Sequence, residues 1–329
     1  MQQDAQPDLA IVIPVRNLPE DLDRLLGQIA ALGIFSQVVV SDDCSDAECS
    51  PRLSGNLARL SGVDVVHLRS DRQRGAGHAR NMGLAAVTAS NVLFFDADDM
   101  LCDELAEIWR HHQEAGCPDF TIFRHSDTRV EESEGRRGTF PTEEQMWERA
   151  LSGDSRRMLS AQECAGLVMI SAYPWNKIYR TDFLRSHDIS CSETPVHNDI
   201  RLHWLSFLHA RDVQASRRIG AVHVIGDREH HLTARKGRER LCLAGIVAEL
   251  TDRIREAPGR QIMMQRFIQF VDGICRWNLR QVEDDLIPEF RSLACDAYLG
   301  FTPEEFRMFA MQQPDRAQEI VRFLLAEGV

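Results

Sequence analysis

Val92-Leu93-Phe94-Phe95-Asp96-Ala97-Asp98-Asp99 is the stretch on which the fold turns: an apolar run of strand type that ends directly in three carboxylates. Anions packed this closely repel one another, and at the mouth of a core they also lose hydration. Such a cluster persists when a divalent cation or hydrogen-bond donors neutralise it. Residues two apart on a strand share a side, so Asp96 and Asp98 can face one ligand together. Hard oxygen donors of this kind suit Mg²⁺ or Mn²⁺ shared with a phosphate group. Helix capping is the competing explanation, because Asp103 and Glu104 follow closely. Capping accounts for one acid and leaves the others.

Outward from this stretch, the first 127 residues alternate strand and helix signals. Strands are predicted at Leu9–Val15, Gln37–Val40, Val63–Leu68, Val92–Phe95 and Phe120–Arg124. Helices are predicted over 19–32, where Leu22, Leu25, Leu26 and Ile29 recur at helical spacing, and over 51–60, 78–87 and 104–114. This alternation predicts an α/β fold, a mostly parallel sheet covered by helices on both faces. Ligands of such sheets bind beyond the carboxyl ends of the strands. Arg16-Asn17, Asp42-Asp43 and Asp96 to Asp99 all fall there.

Residues 127–138 are charged and poor in apolar side chains, which predicts a loop or lid. Thr142-Glu-Glu-Gln145 reads as a capping box, and an apolar helix is expected over 200–209. From Leu241 the pattern is purely helical, with Thr302-Pro303-Glu304-Glu305 opening the last long helix. His111-His112 is read as inert on a surface helix.

The 329-residue chain has a formal net charge of −12, which argues against general nucleic-acid binding. Nine cysteines without a CxxC pair read as reduced thiols of a cytoplasmic protein, and the polar N-terminus lacks the apolar core of a signal peptide. No apolar run is long enough to cross a bilayer, which takes about 18–20 residues.

Several elements belong together: Ile13-Pro14-Val15-Arg16-Asn17, Ser41-Asp42-Asp43-Cys44-Ser45-Asp46, Gly75-Ala-Gly77-His-Ala-Arg80-Asn81-Met-Gly83, the Asp96 cluster, Pro174-Trp175-Asn176-Lys177 and His197-Asn198-Asp199. In this order they resemble the family 2 glycosyltransferases, inverting nucleotide-sugar enzymes of the GT-A fold. The resemblance covers residues 9 to about 235. It implies a catalytic domain over 1–235 and an additional helical region over 236–329. It also implies that Pro14, Val15, Arg16 and Asn17 line the nucleobase, with Asp42 and Asp43 recognising it and Asp43 accepting the uracil N3 proton. Arg80 and Asn81 would hold the donor side of the cleft. Asp96-Ala97-Asp98 matches the DxD motif, with Asp96 near the ribose and Asp98 on Mn²⁺ or Mg²⁺. Asp199 matches the acid of the family's ED motif, the general base.

Three positions depart from the family pattern: Arg16 where an aromatic is common, Cys44 for a glycine, and Asn198 for a glutamate. Trp175, Asn176 and Lys177 are candidates for the acceptor side, with Lys177 near a phosphate, although a tryptophan there can equally be packed. His230 and His231 align with a late motif facing the donor diphosphate, and His231 is a candidate metal ligand. The basic run Arg235 to Arg240 could close over diphosphate or touch anionic lipid at a membrane surface. The expected partners are a uridine-linked sugar donor and a glycan or lipid-linked acceptor of a bacterial surface polysaccharide, with a homo-oligomer conceivable. A nucleotidyltransferase and a non-catalytic partner subunit are the alternative readings.

Overall fold

A computed structural model describes residues 8–225, 235–257, 259 and 261–328. The chain opens with β1 (Leu9–Val15), α1 (Pro19–Leu32), β2 (Gln37–Asp42), β3 (Asp64–Arg69), α2 (Ala76–Ala86) and β4 (Asn91–Phe94). It continues through β5 (Met100–Leu101), α3 (Glu104–Glu114), β6 (Phe120–Asp127), α4 (Thr128–Glu134), α5 (Pro141–Leu151), β7 (Arg156–Met158) and α6 (Ala161–Leu167). Next come β8 (Lys177–Arg180), α7 (Thr181–Ser186), α8 (Ile200–His209) and β9 (Val213–His223). The helices α9 (Leu243–Glu256), α10 (Gln261–Leu279), α11 (Ile287–Leu299), α12 (Pro303–Gln312) and α13 (Pro314–Ala326) complete it.

The strands form one sheet in the order β3-β2-β1-β4-β8-β6-β9-β5, with β7 also on β9. From β3 to β4 every pairing is parallel; β8 then runs antiparallel to both β4 and β6, so the second half is mixed. The parallel half brings the carboxyl ends of β1, β2, β3 and β4 to one edge. β1 and β2 are wholly buried, as expected of strands covered on both sides. One face packs α1 through Leu22, Leu25, Leu26 and Ile29 against Ile11, Ile13, Val38 and Val40. The other carries Ala10, Val12 and Val39 in a core that runs through Trp204 of α8 into Leu243, Phe267, Phe290 and Phe309 of the C-terminal helices. Trp204 meets Phe267 at 4.9 Å between ring centroids.

Four local expectations are corrected. Residues 51–60 form no continuous α-helix; short 3₁₀ helices stand at Pro51–Leu53 and Leu57–Arg59. Asp23 explains this, accepting from Ser54 Oγ at 2.7 Å and from the Asn56 amide at 3.0 Å and so competing with helical bonding. The expected lid over 127–138 contains α4, capped by the Asp127 carboxylate on the Arg129 amide and ended by Gly135 at φ 64°. Its single buried residue, Val130, left no apolar pattern to read. Thr142 opens no capping box: Pro141 sets the first turn of α5, and Glu144 takes the Thr139 amide instead. His112 is fully buried, bonded to Thr121 Oγ1 at 2.8 Å and Asn91 Oδ1 at 2.9 Å, and burial pulls its imidazole down to about 3.

Candidate active site

At the carboxyl ends of β1 and β2 two loops lock together. Asn17, at φ 55°, donates its backbone amide to Ser45 Oγ at 3.0 Å; its side chain donates to Asp46 Oδ2 and accepts the Asp46 backbone amide, both at 2.8 Å. Pro14 and Val15 are buried in β1, whereas Arg16 is exposed at its end. Asp42 is fully buried; its carboxylate accepts from the Ser45 amide at 2.8 Å and pairs with Arg69 of β3. Asp43 sits between the loops, accepting the backbone amides of Arg74 at 2.8 Å and Gly75 at 2.7 Å. Two backbone amides fix the orientation of this carboxylate. Cys44 stands at φ 61°, the left-handed region that glycine adopts freely. This is a physical reason for a glycine at that point of the motif.

The acids after β4 are held from two sides. Arg24 of α1 reaches across to the carbonyls of Asp98 at 3.1 Å and Asp99 at 3.2 Å, fixing the turn. Arg80 of α2, only 5% exposed, donates one end of its guanidinium to Asp96 Oδ1 at 2.5 Å and the other to Asn198 Oδ1 at 2.7 Å. Burial opposes the Arg80 charge, but Asp96 holds it protonated. Ala97 is buried, Asp96 and Asp98 are half-buried, and Asp99 is 3% exposed. Burial, then the charges of Asp96 and Asp98, push the Asp99 carboxyl well above the usual range while its Oδ1 accepts the Val224 amide at 2.9 Å.

Asp199 occupies the N-cap position of α8 without a capping bond from its side chain. Asp199 is half-buried, and its carboxylate faces the charges of Arg80, Asp96 and Lys177. Burial pushes its pKa up, and Arg80 opposes that shift.

Among the described residues no three His, Cys, Asp or Glu side chains converge as a metal cage. The donor set nonetheless fits Mg²⁺ or Mn²⁺, which take one or two carboxylates and fill the remaining positions with phosphate oxygens and water. His230 and His231 lie outside the described residues.

Two sets of residues stand elsewhere than expected. Asn81 lies beside the site but spends its amide on the backbone of Cys191, donating at 3.0 Å and accepting at 2.9 Å. Trp175, Asn176 and Lys177 are fully buried, so they lie beneath the cleft and do not line an acceptor surface. Tyr173 stacks on Trp175 at 4.5 Å, and Lys177 Nζ donates to Tyr173 O at 2.8 Å and Asn176 Oδ1 at 2.6 Å rather than to a phosphate. Burial pulls the Lys177 amine down to about 7 against the charges of Asp199 and Glu143, and pushes the Glu143 carboxyl up to about 7. Arg24, Arg69 and Glu143 were invisible to sequence reading, since each acts on a partner far along the chain. The glycine and arginine of 75–83 carried the one usable signal.

The sequence profile described as glycosyl transferase family 2 matches residues 10–171. The succinoglycan biosynthesis protein ExoO of Rhizobium meliloti (strain 1021) is 34% identical over 97 residues, 29% of this chain and 27% of that protein. The pre-mycofactocin glycosyltransferase of Mycobacterium tuberculosis (strain CDC 1551 / Oshkosh) is 35% identical over 91 residues, 28% of this chain and 18% of that protein. The alignments thus span about a quarter or less of these relatives. Among solved structures, S. aureus TarS 1–349 in complex with UDP-GlcNAc superposes with a TM-score of 0.75 at 17% identity, covering 97% of this chain and 88% of that one. The mannosyltransferase PcManGT of Pyrobaculum calidifontis, in complex with GDP-Man and Mn²⁺, gives 0.55 at 12% identity, covering 98% and 86%. The sheet with its carboxyl-edge acids and these superpositions agree on the GT-A fold, and residues 10–171 of the chain match the glycosyl transferase family 2.

Proposed function

We propose that residues 1–235 form the catalytic domain of a metal-dependent, inverting glycosyltransferase that moves a sugar from a uridine diphosphate donor to an acceptor hydroxyl. One observation carries this reading. Asp199 heads α8 without a side-chain capping bond, and its carboxylate faces the charges of Arg80 and of the DxD acid Asp96. A base and a diphosphate-side acid in one electrostatic neighbourhood are what a direct displacement needs.

Asp43, whose carboxylate oxygens are acceptors, suits a base that presents an N–H, as uracil does at N3, and disfavours cytosine, whose N3 is itself an acceptor. The UDP-GlcNAc and UDP bound by TarS support the same donor class. Pro14, Val15, Arg16 and Asn17 would border the base, and Asp96 the ribose. Asp98 would hold Mn²⁺ or Mg²⁺, which supplies positive charge for the departing diphosphate. Asp199 removes the proton of the acceptor hydroxyl as that oxygen bonds to the anomeric carbon. The bond from that carbon to the diphosphate oxygen breaks with inversion, and no enzyme nucleophile is required. The surface-polysaccharide relative ExoO supports a glycan or lipid-linked acceptor.

Calorimetric titration of UDP with Mn²⁺, then with EDTA, tests the donor site. Metal-dependent binding, followed by release of UDP from a UDP-sugar, is the expected result. Silence toward UDP, GDP, CDP and TDP alike would refute it and leave a non-catalytic subunit.

A further inference from the structure

The segment 74–81, at the head of α2, touches both sides of the site at once. At its start the Arg74 and Gly75 amides hold Asp43, the acid of the nucleobase side. Along its length it grips the loop that leads to Asp199. Arg74 and His78 pair with Glu193 at 2.7 and 3.1 Å. Asn81 clamps the backbone of Cys191, and the Ser192 amide closes the loop on Asn198 O at 2.9 Å. The approach is so close that a Cβ on Gly77 would lie 2.0 Å from Ser192 O and 2.9 Å from Asn198 Cβ. Arg80 completes the junction, bridging Asp96 and Asn198 with the two ends of its fork.

We infer that this segment couples the donor site to the base: engagement of nucleotide at Asp43 and Asp96 tightens the Cys191–Asp199 loop, with Arg80 and Asn198 as positioning residues. The inference rests on the donor-site reading above. Its physical basis is rigidity. A planar guanidinium held at both ends transmits the placement of one acceptor to the other, which a flexible lysine does not. An acceptor on a loop gripped at several points moves with that loop as a unit. Linkage makes the effect reciprocal, so a loosened loop also loosens the hold on Asp96.

Hydrogen–deuterium exchange of the full chain with UDP and MnCl₂ tests this, read at the peptides spanning 191–199. In the wild type, UDP with Mn²⁺ should slow exchange there at least threefold. Asn198→Ala should lose that protection and, by the same linkage, weaken UDP binding about threefold. Its kcat for UDP release from UDP-GlcNAc should fall about tenfold, well beyond the change in donor KM. Asn198→Asp, which keeps an Oδ1 acceptor for Arg80, should restore protection. Arg80→Lys, which can hold Asp96 but not both partners, should lose it and serves should Asn198→Ala fail to fold. Protection that persists in Asn198→Ala means direct shielding by nucleotide and overturns the coupling. Wild-type binding of UDP without loop protection overturns the coupling alone, whereas no UDP binding at all removes the donor-site reading and the coupling together.

Discussion

Gly77→Ala separates site geometry from fold stability. The added methyl would sit 2.0 Å from Ser192 O, whereas real Cβ contacts essentially never fall below 3.0 Å, so the loop must retreat by about 1 Å. Overpacking of this kind costs about 1–3 kcal/mol. Replacing a helical glycine by alanine returns up to about 1 kcal/mol, so the net loss of stability is about 0–3 kcal/mol. The functional loss is larger. A retreat of that size stretches the 2.7 Å Arg80–Asn198 bond past hydrogen-bond range and displaces Asp199, one residue on. Misplacement by about 1 Å can lower turnover about 100-fold. Urea denaturation reads the stability, and UDP release from a UDP-sugar reads turnover. Gly245→Ala, at an exposed helical position with nothing within 4 Å of the new methyl, is the control, expected to gain about 0.5–1 kcal/mol at unchanged rate. Gly77→Ala with turnover within twofold of wild type would refute the reasoning, because the loop would then tolerate the shift.

Asp98→Asn should abolish metal-dependent UDP binding while leaving the circular dichroism spectrum and melting temperature unchanged; retained Mn²⁺-dependent binding removes Asp98 from the metal site. Asp199→Asn should bind UDP with Mn²⁺ normally and lower transfer about 10²–10⁴-fold, the usual worth of a general base. Because burial raises the Asp199 pKa above 3.8 and the base works ionised, wild-type kcat/KM should fall on the acid side of an inflection above pH 3.8, which a pH–rate profile locates. Glu143 titrates near 7 in the fold against 4.5 as the reference. Its contribution to stability is therefore full below pH 4.5 and lost as pH rises through 7. Glu143→Gln, which can still accept from Ser171 Oγ, should gain up to about 3 kcal/mol on wild type between pH 4.5 and pH 8. Parallel stability curves for the two proteins would show that Glu143 is not desolvated.

The parallel half of the sheet was legible because its signals are local. β1, β2 and β4 are short β-rich runs, α1 repeats its apolar residues at helical spacing, and the acids follow the strands directly. The same holds for the Thr302 capping box, which forms as expected. The helix α4 escaped because a seven-residue helix with one buried side chain leaves no periodic trace. His112 read as a surface residue, and Trp175 as either a cleft or a packed residue, until their neighbours were known; each is fully buried against segments that are distant in sequence.

By itself, then, the sequence determined the α/β class, the edge at which a ligand would bind and the acids that stand there. Strand order, the antiparallel entry of β8 and the junction at Arg80 were decided only in three dimensions. Arg80 and Asn198 are 118 positions apart, and Asn81 and Cys191 are 110 apart. Local propensity carries no record of such pairings. They arise when burial of the two sheet faces brings α2 and the loop before α8 into contact, and a missing Cβ at Gly77 lets them close to hydrogen-bonding distance.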